Sequence, residues 1–227
     1  MMLQDRFGEN VRVRNVRVSA KSLGQIGPIA VFTMLFPMLL TGCGFGPSRV
    51  SAPEWDPQVL TTKAFELYDK NSDGKLDKKE LEASPGINNA LGRIDDDRDG
   101  AVSQGELTKR FELYAELKQG LRGQSFRITL DGRPLSDANV RLVPEPFLEG
   151  LVDEASGVTL SDGVVTPQTD LDGEKFPAIR NGFYRVEVES PLIKTDRQKK
   201  SAAALGFEMS PVTERDVPAV YELRIKS

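Results

Sequence analysis

The chain has 227 residues, with 30 Lys and Arg against 34 Asp and Glu, a single Cys and no His. A formal charge of −4 disfavours nucleic acid, whose phosphates require a basic footprint. The missing His removes the usual general base and His-ligated zinc, and one Cys cannot form a disulfide within the chain.

Residues 1–42 read as a signal peptide. Arg12, Arg14, Arg17 and Lys21 precede an apolar run at 26–40 that contains Pro28 and Pro37. A basic head, a short apolar stretch and small residues before a cut point make a secretory signal. The run is shorter than the roughly 20 apolar residues that a spanning helix needs, so no permanent membrane span is expected. Leu40-Thr41-Gly42-Cys43 resembles the bacterial lipobox. That resemblance implies a lipid on the Cys43 sulfur, cleavage before it and acylation of the new N-terminus. The competing reading is an ordinary signal peptide with an incidental Cys. Lipidation is favoured because the chain's one Cys stands at the position where a lipoprotein needs it. Gly44 follows where an inner-membrane retention signal would place Asp. By analogy with enterobacterial sorting, that points to the cell envelope on the outer-membrane or periplasmic side.

Residues 43–56 read as the lipidated Cys and a tether, because Gly and Pro there oppose regular structure. Trp55 has two readings, packed on the following domain or loose. Residues 57–118 read as a helical module. Leu60, Ala64, Phe65 and Tyr68 have helical spacing before an acidic stretch, and Leu107, Phe111 and Tyr114 recur at i, i+4, i+7 after a second one.

The acidic stretches are residues 69–80 (DKNSDGKLDKKE) and 95–106 (DDDRDGAVSQGE). Oxygen-bearing side chains fall at positions 1, 3, 5, 9 and 12 of each: Asp69, Asn71, Asp73, Asp77 and Glu80, then Asp95, Asp97, Asp99, Ser103 and Glu106. Gly74 and Gly100 stand at position 6, where the chain reverses sharply. Lys75 and Ala101 at position 7 offer a carbonyl, so their side chains are free to vary. Ca²⁺ takes six to eight oxygens at roughly 2.3–2.6 Å, and this spacing lets one short loop surround it. Solvated acidic turns are the bland alternative; two complete copies favour two Ca²⁺ sites. Both stretches resemble EF-hand calcium loops. Leu76 and Val102 occupy position 8, where paired EF hands share a short two-stranded bridge. Ser84-Pro85-Gly86 interrupts the segment between the loops, so the helices on either side are expected to have about two turns each.

From Gly120 the apolar period changes from 3.6 to 2. Alternating stretches at 126–130, 140–143, 157–160, 183–188 and 220–225, separated by Asp-Gly, Asn-Gly and Pro turns, predict an antiparallel β-sandwich over 121–227. Residues 131–144 (DGRPLSDANVRLVP) and 179–188 (IRNGFYRVEV) resemble the transthyretin-like, carboxypeptidase-regulatory-like domains of bacterial envelope proteins. The resemblance implies a small β-sandwich without catalysis of its own. Residues 162–173 blur its middle strand. Residues 191–218 are polar and Pro-bounded and read as a long surface connection, with Arg197, Lys199 and Lys200 on a solvated face.

The expected fold class is therefore α+β in two domains, an EF-hand pair followed by an antiparallel β-sandwich, the second folding without calcium. The expected function is a non-catalytic calcium-binding lipoprotein, membrane-anchored, with the β-domain as an adhesive or scaffold surface for a protein or glycan partner. The alternative is a calcium-responsive regulator that opens to bind a partner protein. Sensors expose a Met-rich groove, and residues 57–118 contain no Met. No Gly-rich phosphate loop or Gly-x-Ser-x-Gly elbow is present, and no enzyme is expected.

Overall fold

Asp56 starts the first helix: its carboxylate accepts from the Val59 amide at 3.1 Å, and Pro57 takes the first position, where no amide is needed. The computed structural model describes residues 50–212 and 218–227. The expected signal segment and the Cys43 lipid site lie outside the described residues. The helical part comprises α1 (Pro57–Tyr68), β1 (Lys75–Leu76), α2 (Lys78–Leu81), α3 (Pro85–Ile94), β2 (Val102–Ser103) and α4 (Gln104–Leu117). β1 and β2 pair antiparallel with Leu76 opposite Val102, both fully buried. α2 has only 4 residues, short of the two turns expected. Pro85 disfavours helical geometry at Ser84, so the chain must restart as α3.

The strand-rich part contains β3 (Leu121–Arg122), β4 (Ser125–Leu130), β5 (Arg133–Pro134), β6 (Asn139–Pro144), a 3₁₀ turn (Pro146–Leu148), β7 (Ala155–Val158), β8 (Val164–Val165), β9 (Gln168–Leu171) and β10 (Glu174–Phe176). It continues with β11 (Ile179–Arg180), β12 (Gly182–Glu189), α5 (Asp196–Ala203), β13 (Gly206–Met209) and β14 (Val220–Ile225). A six-stranded sheet runs β10-β9-β7-β6-β12-β13 with every neighbour antiparallel. A four-stranded sheet is built on β4, which pairs with β14, β5 and β8. Two hairpins close on Asp-Gly pairs, Asp131-Gly132 and Asp172-Gly173, with both residues of each at positive φ. That is the two-residue turn whose twist suits the flanking strands. The second hairpin, β9–β10, occupies part of residues 162–173, where a blurred middle strand is expected.

Two expectations for the strand-rich part are corrected. The β-region is not wholly antiparallel: β14 lies parallel to β4, from Val220 opposite Ser125 to Ile225 opposite Leu130. A parallel pair needs a long crossover, and all of residues 131–219 lie between these two strands. Residues 191–218 are not a bare surface connection. Thr195 and Gln198 form a reciprocal capping box that starts α5, and all four residues of β13 are buried.

The helical and strand-rich parts, expected as separate domains, share one core within the compact unit Gly46–Ser227. Phe111 of α4 meets Phe147 at 6.0 Å and Phe183 at 5.8 Å, and Tyr114 stacks on Phe183 at 5.9 Å between ring centroids. Tyr68 of α1 meets Phe147 edge-on at 6.2 Å. Trp55 packs edge-on against Tyr114 at 4.8 Å, so this end of the expected tether is docked. Such rings bury large apolar areas, and their edge-to-face geometry adds to that burial. The sheets meet where Phe126 of β4 abuts Phe207 of β13 at 4.8 Å.

Candidate metal centre

Loop 1 joins α1 to α2 and loop 2 joins α3 to α4, and the two share a common set of internal hydrogen bonds. The position-1 carboxylates Asp69 and Asp95 each accept, through Oδ2, from the position-6 amides of Gly74 and Gly100, at 3.0 Å in both. Asp73 Oδ1 accepts from the Lys75 amide and Asp99 Oδ1 from the Ala101 amide, both at 2.9 Å. At position 12, Glu80 Oε1 accepts from Lys70 N at 2.8 Å and Glu106 Oε1 from Asp96 N at 2.8 Å. Their second oxygens accept from the amides of Asp77 at 3.0 Å and Ser103 at 2.8 Å. Each glutamate therefore folds back from its helix over its own loop, where position 12 must stand to reach a shared ion. A carboxylate has about four lone-pair directions. Glu80 uses three, on the amides of Lys70, Asn71 and Asp77. Glu106 uses all four, on the amides of Asp96, Asp97 and Ser103 and the Ser103 hydroxyl, so a cation would take the place of some of these donors.

The turns need left-handed backbone at two positions. Gly74 and Gly100 have φ of +79° and +87°, where a Cβ would be strained. Ser72 and Arg98 at position 4 also have positive φ, 59° and 61°, a feature that sequence reasoning did not single out. Position 9 has a double duty. Asp77 and Ser103 cap α2 and α4, accepting from the amides of Glu80 and Glu106. Ligation from position 9 often runs through water, which is compatible with this capping.

The donor set fits a hard divalent cation. In loop 2, ligand oxygens of Asp95, Asp97 and Asp99 all lie within 4.8 Å of one another. In loop 1, Asn71 stands where loop 2 has Asp97; its Oδ1 accepts from Asp73 N at 2.8 Å. Asp69 Oδ1 is buried with no hydrogen-bond partner, and a buried acceptor without a donor is costly unless an ion or water meets it. Backbone and hydroxyl donors from Ser103, with the amides of Asp96 and Asp97, outweigh burial at Glu106 and hold its carboxyl below the usual glutamate range. The Lys75 ammonium, then the Ala101 amide, do the same for Asp99. The Lys75–Asp99 ion pair joins the loops directly: the residue whose carbonyl serves position 7 of loop 1 sends its ammonium to position 5 of loop 2.

Residues 62–83 match the family model described as EF hand, a span that includes all of loop 1. The match supports an EF hand there, with calcium as its ion. No curated protein and no solved structure matches the chain.

Proposed function

We propose that this protein is a non-catalytic calcium-binding lipoprotein of the cell envelope, with one Ca²⁺ in each loop and a lipid on Cys43. The observation that carries the calcium reading is that loop 2 repeats the main hydrogen bonds of loop 1, from position 6 to position 1, from position 7 to position 5, and from positions 2 and 9 to the glutamate at position 12. Only the first loop falls within the family match, and the second has the same Asp–Gly bond, the same returning glutamate and the same number of carboxylates at ligand positions, with Asp97 in place of Asn71 and Ser103 in place of Asp77. Outside the cytoplasm calcium is abundant, so weak affinity, on the order of 10⁻⁴–10⁻³ M, suffices.

The envelope location rests on the lipobox. No helix among the described residues is long and apolar enough to cross a membrane, so attachment through acyl chains is the proposed anchor, at about 0.8 kcal/mol per buried CH₂. The strand-rich part, read as a β-sandwich, would supply an adhesive or scaffold surface for a protein or glycan. The non-catalytic reading rests on a sequence without His whose one Cys is assigned to the lipid. Cys43→Ala should abolish partitioning into a detergent phase and labelling by palmitate analogues; unchanged partitioning overturns the anchor while leaving the calcium reading intact.

A further inference from the structure

Two glutamates outside the loops, both with fully buried side chains, touch the helices that carry them. Glu208 of β13 accepts from Arg93 Nε at 3.0 Å and Nη2 at 2.9 Å through Oε2. Its Oε1 accepts from Arg110 Nε and the Tyr114 hydroxyl, each at 2.6 Å. Arg93 lies on α3 two residues before Asp95, and Arg110 lies on α4 one turn beyond Glu106. A single carboxylate thus receives both helices that flank loop 2. Glu145, between β6 and the 3₁₀ turn, joins α1, the helix that enters loop 1, to α3, the helix that enters loop 2. Its Oε2 accepts from the hydroxyl of Tyr68, the residue before Asp69, at 2.9 Å, and its Oε1 from the Gly86 amide of α3 at 2.8 Å.

We propose that Glu145 and Glu208 are positioning residues for the calcium loops: they fix the flanking helices against the six-stranded sheet, so that calcium binds without opening the pair and stabilises the sheet together with the loops. This rests on the calcium reading above and deepens it. An EF-hand sensor opens by swinging its helices apart. Here α3 and α4 share one buried carboxylate, and separating them would leave a charge in the core without its partner, which is strongly unfavourable. Binding to loops held in place also spares part of the ordering cost, and the same linkage sends the binding free energy into the sheet. A calcium-responsive regulator needs a helix pair that is free to move; this pair is held by the sheet.

Hydrogen exchange on the full chain, compared between calcium and a chelator, tests the proposal. The expected result is added protection at 69–80 and 95–106 and, with them, at 182–189 and 206–209. Protection confined to the loops overturns the proposal and leaves calcium binding standing. No change anywhere defeats the calcium reading and the proposal with it. Loss of protection in α3 and α4 on adding calcium, with new binding of a hydrophobic dye, means that the pair opens and overturns the proposal. Glu208→Gln separates positioning from mere packing, because the aromatic core is untouched. Measured well below its melting point, it should weaken calcium at loop 2 roughly three- to thirtyfold and leave loop 1 less affected. An unaltered loop 2 affinity in the folded variant refutes the positioning role, and if the variant does not fold, the exchange experiment on the unaltered chain decides.

Discussion

Gly206 of β13 and Pro85 at the head of α3 meet backbone to backbone: a Cβ on Gly206 would lie 1.9 Å from the Pro85 carbonyl oxygen and 2.6 Å from the Gly86 nitrogen. Neither neighbour is a flexible side chain, so nothing can turn aside. Gly206→Ala should destabilise the protein by at least about 3 kcal/mol, the upper part of the range for overpacking. Urea unfolding measures it, and a loss below about 1 kcal/mol would mean that α3 is not seated as described.

On the proposed reading, Lys75 and a cation would compete for Asp99. Removing the ammonium should free that carboxylate, and Lys75→Ala should strengthen calcium binding at loop 2 about two- to fivefold, the scale of an exposed pair. The effect should shrink at high salt. Calorimetric titration at two ionic strengths checks both parts; weaker binding in the variant would show that Lys75 supports the loop instead of competing with the ion.

Glu145 gives a pH dependence of definite sign. Burial pushes its carboxyl above the usual glutamate range, against the opposing pull of the Gly86 amide and the Tyr68 hydroxyl. The folded state then binds this proton more tightly than the unfolded state. Its contribution is fully present below the ordinary glutamate value, about 4.3, and is lost as pH rises through the raised folded value. Glu145→Gln keeps a polar group at the site and cannot ionise. Its stability relative to the unaltered protein should therefore increase with pH across that window. Thermal melts at a series of pH values read the difference, and a fall with rising pH contradicts the assignment.

Trp55, the chain's one tryptophan, packs on Tyr114, whose hydroxyl binds Glu208. It therefore reports on the helix pair. Adding calcium should leave its emission maximum unchanged at saturation, because the pair stays closed, while raising the temperature at which the emission shifts. A red shift on adding calcium at constant temperature would indicate that the ring is released.

The loops were legible because cation chemistry demands particular residues at particular places within twelve contiguous positions. The Asp131-Gly132 turn was legible for the same local reason, whereas Asp172-Gly173 falls in the stretch expected as a blurred strand. α5 was not legible, although Thr195 and Gln198 carry a capping signal, because the polar composition around it reads as a connection; only Gln198 and Ala202 of that helix are buried. Glu145 and Glu208 gave no local sign. Their partners lie 59 and 77 residues away for the first and 94 to 115 for the second, and such pairings exist only once the sheet has assembled. The parallel course of β14 beside β4 is hidden in the same way, since an alternating pattern specifies which face is buried and not which neighbour the strand takes.

Calcium titration of residues 46–227 by calorimetry tests the central claim most directly. Two ions should bind, with dissociation constants on the order of 10⁻⁴–10⁻³ M. Glu80→Gln should impair the first site and Glu106→Gln the second, each leaving the other in place. A chain that takes up no calcium at about 10 mM, well above the range for extracellular modules, would contradict the account.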